Sequence, residues 1–236
     1  MLCKIADLIA EIPTADGLAV RCKDYMHNEC ATPDIIVRRE HYRWERFTPN
    51  TKPEVVAYLE SGRQFCRQLL EHNGLYLHSS AVVCDGRAYL ISGDSGAGKS
   101  THAQLWLSTF GGDTRIINDD KPALRCIDGV WYAYGTPWCG KDGINRNEKA
   151  PLAGICFVKQ ASDNRIRRLT PAEGMQKILR QTIFWHDNES ELDVFLGLLN
   201  SLLAQIPIFE LENRPETAAA LLSHETMTKE ALERKL

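Results

Sequence analysis

Hydrophobic and polar positions change period several times along this chain. Residues 52–74, KPEVVAYLESGRQFCRQLLEHNG, place Val55, Val56, Leu59, Phe65, Leu69 and Leu70 at helical intervals and end on Gly74, which predicts one helix with a glycine cap. Residues 75–92, LYLHSSAVVCDGRAYLIS, form two β-rich runs around Asp85-Gly86, a pair that predicts a tight hairpin. A helix-like segment follows at 101–110. Apolar runs at 114–120, 122–128 and 130–135 then predict strands, the last two joined by a second hairpin turn at Asp128-Gly129. Residues 151–160 read as a buried strand, with 164–169 as its partner across a short turn. Helical patterns return at 171–184, 190–205 and 215–234. The uncharged stretch 194–209 contains Asn200, Gln205 and Pro207 and falls short of the roughly 18 apolar residues of a membrane span, so it reads as a buried helix turning into a strand. Ahead of all these, short strands are expected at 17–22 and 34–40.

Strands alternating with helices, and hairpins among them, predict an α/β protein with a mixed sheet. Residues 1–73 read as a small N-terminal α+β appendage with its connecting helix, and residues 74–236 as the core. At 236 residues and 44% hydrophobic content, the chain is long enough to bury a substantial interior. Its net charge of −3, with acidic and basic residues interleaved, leaves no footprint for nucleic acid or an anionic membrane surface. The eight cysteines include no Cys-x-x-Cys pair, so their spacing suggests neither a zinc site nor a thioredoxin-type redox pair, and they read as reduced, mostly buried thiols. Lys4, Asp7 and Glu11 interrupt what an export signal would need to be apolar, so a cytoplasmic location is expected.

The chemistry begins between the strand at 88–92 and the helix at 101–110, where Gly93 to Ser100 read GDSGAGKS. Glycines at 93, 96 and 98 allow positive φ, so that backbone N–H groups point inward at phosphate oxygens and the following helix adds its positive end. In such a loop Lys99 bridges the β and γ phosphates and Ser100 holds Mg²⁺. Gly93, Asp94, Ser95, Gly96, Ala97, Gly98, Lys99, Ser100 and Thr101 are therefore the candidate nucleotide-binding residues. The hairpin lead-in differs from the crossover-connected parallel strands of most doubly wound P-loop proteins and points to another P-loop architecture.

Asp119 and Asp120 end the apolar strand some twenty residues beyond Lys99, where phosphoryl transfer needs carboxylates facing Mg²⁺ and the γ phosphate. One can ligate the metal while the other accepts a proton from an attacking hydroxyl; the bland alternative is an Asp-Asp turn before Lys121-Pro122. His78, in the strand leading to the loop, suits a role near the phosphates or a structural one. Residues 136–151 gather Lys141, Asn145, Arg146 and Lys149 among turn residues, as a loop around phosphates would, or as a solvated surface loop. Arg165, Arg167 and Arg168 read as a solvated strand edge, or as a patch for an acidic peptide.

His78, the GDSGAGKS loop and the Asp119-Asp120 pair together resemble the kinase domain of the HPr kinase/phosphorylase family, which shares its fold with phosphoenolpyruvate carboxykinase. The resemblance covers residues 74–128. It implies a phosphoenolpyruvate carboxykinase-like P-loop core, Lys99 and Ser100 on ATP and Mg²⁺, Asp119 as base, Asp120 as metal ligand, and His78 near the transferred phosphate. After the aspartate pair the chain departs from the family, with TPWCGK in place of its marker stretch. The N-terminal part is shorter than that family's separate domain. The chain is more similar to shorter HPr-kinase-like proteins, some of which resemble tailoring kinases that phosphorylate a peptide hydroxyl.

The expectation is an ATP- and Mg²⁺-dependent kinase acting on a hydroxyl, serine of a peptide or protein foremost, with Lys141 and Arg146 stabilising the transferring group. An assembly of identical subunits is compatible with the sequence. Two rival readings remain: carboxykinase chemistry on oxaloacetate, and a nucleotide-gated binding module without phosphotransfer.

Overall fold

The computed structural model describes residues 1–182 and 189–233. The chain opens with two short strands, β1 (Leu2–Ile5) and β2 (Leu8–Glu11), paired antiparallel around Ala6 and Asp7, both at positive φ. Period-2 alternation builds them: Cys3, Ile5, Leu8 and Ala10 are buried, while Lys4 is exposed and Leu2, Ile9 and Glu11 are half-buried on the other side. β3 is only Ile35–Ile36 and runs parallel to β2. The strand expected at 17–22 is instead a one-turn helix, α1 (Leu18–Arg21), because Asp16 and Gly17 turn the chain at positive φ and bury Leu18. The strand expected over 34–40 shortens to β3 because helix side chains take over its hydrogen bonding.

That helix is α2, Pro53–Leu69, begun by a proline in its first turn and continued by a 3₁₀ turn, Leu70–His72. Val56, Ala57, Phe65 and Leu69 are buried, whereas Val55 and Leu59 face solvent. Part of the inward face is polar. Gln64 accepts from Arg38 N and donates to Arg38 O, both at 2.9 Å, and Gln68 bonds Ile36 N and O in the same way. Each amide stands in for a strand partner and satisfies backbone groups that burial would otherwise leave costly. The left-handed residue after the helix is Asn73 (φ 56°), not Gly74. Gly74 opens the next strand, where a Cβ would meet Leu69, Arg125 and Leu124 O within 2.8 Å.

The main sheet contains β4 (Gly74–Tyr76), β5 (Ser79–Cys84), β6 (Arg87–Ser92), β7 (Arg115–Asn118), β8 (Ala123–Ile127), β9 (Val130–Tyr134), β10 (Lys149–Gln160), β11 (Arg165–Arg168) and β12 (Ile208–Asn213). The helices around it are α3 (Lys99–Phe110), α4 (Pro171–Gln181), α5 (Glu189–Gln205) and α6 (Thr217–Glu233). Positions 183, 184 and 234 of the expected helices lie outside the described residues. Both predicted hairpins form, with Asp85-Gly86 and Asp128-Gly129 at positive φ as a primed turn requires. The helix-to-strand change in 194–209 occurs at Ile206-Pro207, between α5 and β12.

The strand order is β4-β8-β9-β10-β6-β5-β7, with β12 joined to β10 and β11 to β12. β11 therefore does not pair with β10 as expected; β12 lies between them, antiparallel to β11 and parallel to β10. β10 pairs antiparallel with β9 at its start and parallel with β6 and β12 further on, so a curled, mixed sheet is continuous through one strand.

Alternation along the central strands feeds two layers. Leu90, Ile155 and Phe157 pack with Ile178, Phe195, Leu199 and Leu202 of α4 and α5. Tyr89, Ile91, Cys156 and Val158 pack with Trp106 of α3 and Ala220 and Met227 of α6 on the other face. A third cluster joins Ile5, Leu18, Tyr25 and Ile35 to Phe65, Tyr76, Tyr134 and Trp138. Six cysteines are buried, and Cys30 is exposed. Among the described residues, no helix is long and apolar enough to cross a membrane.

His102, buried between α3 and α6, has Nε2 2.9 Å from Ser223 Oγ and, among the described residues, no partner on Nδ1. Burial pushes it down to about 4 from an ordinary 6.5. The unfolded chain thus takes up a proton over that interval before the folded chain does. Stability present above pH 6.5 is lost as the pH falls through about 4, to the extent of about 3 kcal/mol. Urea unfolding at pH 7 and pH 4 should show this excess loss in the native protein and not in His102→Gln; parallel losses would refute it.

Candidate functional site

The loop after β6 is held by close backbone approach. Gly93 (φ 145°) passes Val158 of β10 so tightly that a Cβ would lie 2.7 Å from its carbonyl oxygen. Gly98 (φ 98°) caps α3 in the left-handed region, leaving Lys99 as the first helical residue. Lys99 Nζ donates to Gly93 O and Asp94 O, each at 3.0 Å, so the ammonium lies across the mouth of its own loop. Gln160 of β10 donates to Gly96 O and Gln181 of α4 to Asp94 Oδ1, both at 2.9 Å. Among the described residues, the N–H groups of Gly96 and Gly98 have no protein acceptor. Ser95, Ser100 and Thr101 are exposed and Ala97 is half-buried.

Cavities flank the loop on both sides. One, about 350 Å³, runs from Gly93–Ala97 to Lys177, Arg180 and Gln181. The other, about 280 Å³, lies against Gly98, Thr101, Asn213 and Pro215.

The aspartate pair is set by Asn118, the last residue of β7. Its Oδ1 accepts the N–H groups of Asp120 at 2.9 Å and Lys121 at 2.7 Å, while its Nδ2 donates to Thr136 O and Oγ1. This side-chain turn directs successive carboxylates to different partners. Asp119 Oδ1 accepts from Ser80 Oγ, and Oδ2 has no partner among the described residues.

Asp120 is more enclosed. Oδ1 lies 3.2 Å from His78 Nε2, and Oδ2 accepts from Tyr58 OH at 2.6 Å and from Lys121 Nζ. Burial pushes this carboxyl up, but the His78 hydrogen bond, the Lys121 ammonium and the Tyr58 hydroxyl outweigh it and hold the group well below the usual carboxylate range. The Tyr58 phenol is pushed the other way, by burial first and by the Asp120 charge beside it. The same hydroxyl accepts from Gly140 N at 2.9 Å, so α2, the aspartate turn and the loop beyond β9 meet at one oxygen. Burial lowers Lys99 against the opposing charges of Asp120, Asp94 and Asp119, which places the loop ammonium and the aspartate pair in one field.

His78 lies between β4 and β5 rather than inside a strand; its N–H donates to Gln181 O at 2.9 Å and its carbonyl accepts from Ser92 Oγ at 2.8 Å. It therefore bridges the end of α4, the last residue before the glycine loop, and Asp120.

The 136–151 loop divides. Trp138 and Cys139 are buried, with Trp138 Nε1 donating to Ser61 Oγ at 3.0 Å, and Asn145 Nδ2 donates to Cys139 Sγ at 3.1 Å. Lys141 and Arg146 are exposed, and Arg146 faces Glu148 at 3.9 Å. Among the described residues, neither makes a hydrogen bond or ion pair to Asp119, Asp120 or the 93–101 segment. Lys149 pairs with Asp7 and lies over the Tyr132 ring. Of the β11 arginines, Arg167 is bonded to Glu173 and Glu210 and Arg168 to Glu230, so much of that patch is neutralised.

Tyr58, Ser80, Lys121, Gln160 and Gln181 contact the candidate residues without having been singled out in the sequence. Only Lys121 had a signal, its adjacency to the aspartate pair.

No family model and no curated protein matches the chain. Among solved structures it is similar to the Hpr(Ser) kinase/phosphatase from Coxiella burnetii, at 13% identity and a TM-score of 0.38, over 68% of this chain and 92% of that one.

Proposed function

We propose that this protein is an ATP- and Mg²⁺-dependent kinase with a phosphoenolpyruvate carboxykinase-like P-loop core, transferring the γ phosphate to a hydroxyl, foremost a serine of a peptide or protein. The observation that carries the reading is that His78 ties Ser92, the residue before the glycine loop, to Asp120, so that Lys99 and two differently held carboxylates lie at one end of the β5–β6 hairpin. Binding alone needs no base, whereas phosphoryl transfer uses this set.

The residues fit a nucleotide phosphate: loop N–H groups with no protein acceptor among the described residues, a helix N-terminus and a lysine already drawn to oxygen atoms. Ser100 and Asp120 would hold Mg²⁺, and Asp120 stays ionised to do so. When bound, Mg²⁺ neutralises charge developing on the transferred group. Asp119, oriented through one oxygen by Ser80, keeps the other for the proton of the acceptor hydroxyl. Lys99 would exchange the loop carbonyls for phosphate oxygens, and His78, which already contacts Asp120, would lie on the side of the transferred phosphate.

The test is incubation of the purified protein with γ-labelled ATP, Mg²⁺ and a serine-containing peptide library, with products read by mass spectrometry. Magnesium-dependent phosphopeptide is the expected result. Nucleotide binding without any phosphorylated product would replace the kinase with a nucleotide-gated module. Oxaloacetate-dependent ATP consumption would replace it with a carboxykinase.

A further inference from the structure

The end of the β5–β6 hairpin away from the phosphate loop holds a second group of chemistry-bearing side chains. Ser79 pairs with Ser92 at the loop end of this hairpin, while Cys84 pairs with Arg87 at the turn. At that turn Cys84 Sγ lies 3.6 Å from Nε2 of His224, which α6 brings from 140 residues further along the chain. Asp85 completes the group, with one ligand atom from each residue lying within 4.8 Å of the others. We propose that Cys84, Asp85 and His224 form a binding site for a borderline-soft divalent cation of the zinc type.

Distance and chemistry support this together. Bonds of about 2.3 Å to sulfur and 2.0–2.1 Å to nitrogen, at a tetrahedral angle, require a sulfur–nitrogen separation of about 3.6 Å. The Cys84–His224 separation already has that value. Asp85 is exposed in the hairpin turn, so its carboxylate has room to rotate inward. A thiolate, an imidazole and one carboxylate suit zinc, whereas magnesium and calcium favour all-oxygen sites. The charges also close: a divalent cation with one thiolate, one carboxylate and a neutral imidazole sums to zero, which suits a half-buried position.

The surroundings orient the ligands. His224 stacks on Phe110 with ring centroids 4.1 Å apart and meets the Trp106 ring at 70°. Its neighbour Ser223 is held by Trp106 Nε1 at 2.9 Å, which fixes this turn of α6 on α3. Thr114 Oγ1 donates to Cys84 Sγ at 3.4 Å, an outer-sphere contact that aims the sulfur. Three protein ligands leave a fourth tetrahedral position for water, so the site is exchangeable rather than closed. Binding converts the Cys84 thiol to a metal-bound thiolate, with its proton passing to the buffer.

The experiment titrates the full-length, metal-stripped protein with Zn²⁺ by calorimetry in two buffers of different ionisation enthalpy. Cys84→Ser and His224→Gln proteins are run alongside, with their metal-free melting temperatures as fold controls. The expected result is one Zn²⁺ per chain, release of about one proton, and affinity at least about 100-fold weaker in each variant. Co²⁺ should give the wild-type protein a thiolate-to-metal absorption band that Cys84→Ser lacks. Absence of tight binding to the wild-type protein overturns the proposal, as does equal binding by the variants, which would place the metal on other cysteines. If a variant does not fold, Asp85→Asn is substituted, since asparagine keeps the left-handed turn; unchanged affinity there removes Asp85 from the site and overturns the three-ligand assignment.

Discussion

Lys99→Ala and Asp119→Asn proteins are expected to lose about three orders of magnitude or more in phosphate transfer while melting close to the native protein. The two losses differ in kind. Lys99 is the cation at the loop mouth, held there by Gly93 O and Asp94 O. Its removal takes away charge that the bound phosphates need in both ground and transition states, so nucleotide affinity and turnover fall together. Asp119 touches no loop atom among the described residues, and its asparagine isostere can still accept from Ser80. Nucleotide affinity should therefore persist while the proton from the acceptor hydroxyl has nowhere to go. Equilibrium binding of a fluorescent ATP analogue, measured beside single-turnover transfer, separates the two. Full transfer activity in either purified protein would sink the assignment.

Gly135→Ala is expected to have the largest effect on folding of any single methyl group added near the site. A Cβ there would lie 1.8 Å from Arg146 O and 2.5 Å from Ile117 O, both backbone atoms of paired segments. Gly135 N donates to Glu148 O at 2.9 Å, and Arg146 N donates to Ile117 O at 2.9 Å, so neither neighbour can retreat without breaking ladder bonds. Overpacking of this kind costs about 3 kcal/mol or more, a large share of a typical domain's stability. Denaturant titration should show the loss, or the variant should fail to accumulate as soluble protein. A Gly135→Ala protein within about 1 kcal/mol of native would mean that the 145–148 segment is not fixed against β7.

Those three substitutions mark what is legible in the sequence and what is not. The loop, the hairpin turns and the aspartates are local: glycine at positive φ, Asp-Gly at a reversal, and carboxylates ending an apolar run all leave their mark within a few residues. Contacts made by Tyr58, Ser80 and Gln181 depend on how distant segments meet, and a tyrosine on an amphipathic helix reads as core or surface. The first strands are hidden because Lys4, Asp7 and Glu11 read as interruptions, although Lys4 and Glu11 fall on the outward side of a period-2 pattern and Asp7 sits in the turn between the strands. Gly74 was misread because a glycine after a helix commonly terminates it; here crowding against Leu69 and Leu124 makes glycine necessary one residue after the turn. Strand order was out of reach as well, since the partner of β11 arrives some forty residues later as β12.

β10 carries a consequence for how the molecule comes apart. It is hydrogen-bonded to β9 at one end and to both β6 and β12 at the other, and its alternate side chains anchor helices on both faces. A protein whose halves meet at a seam can open along it and keep each half folded. Here the joining strand is interior to both halves, so releasing it exposes apolar surface on two layers at once. Any opening that releases β10 therefore disrupts both layers together, and the strands that carry the loop and the aspartate pair are joined to that shared interior through β6 and β5.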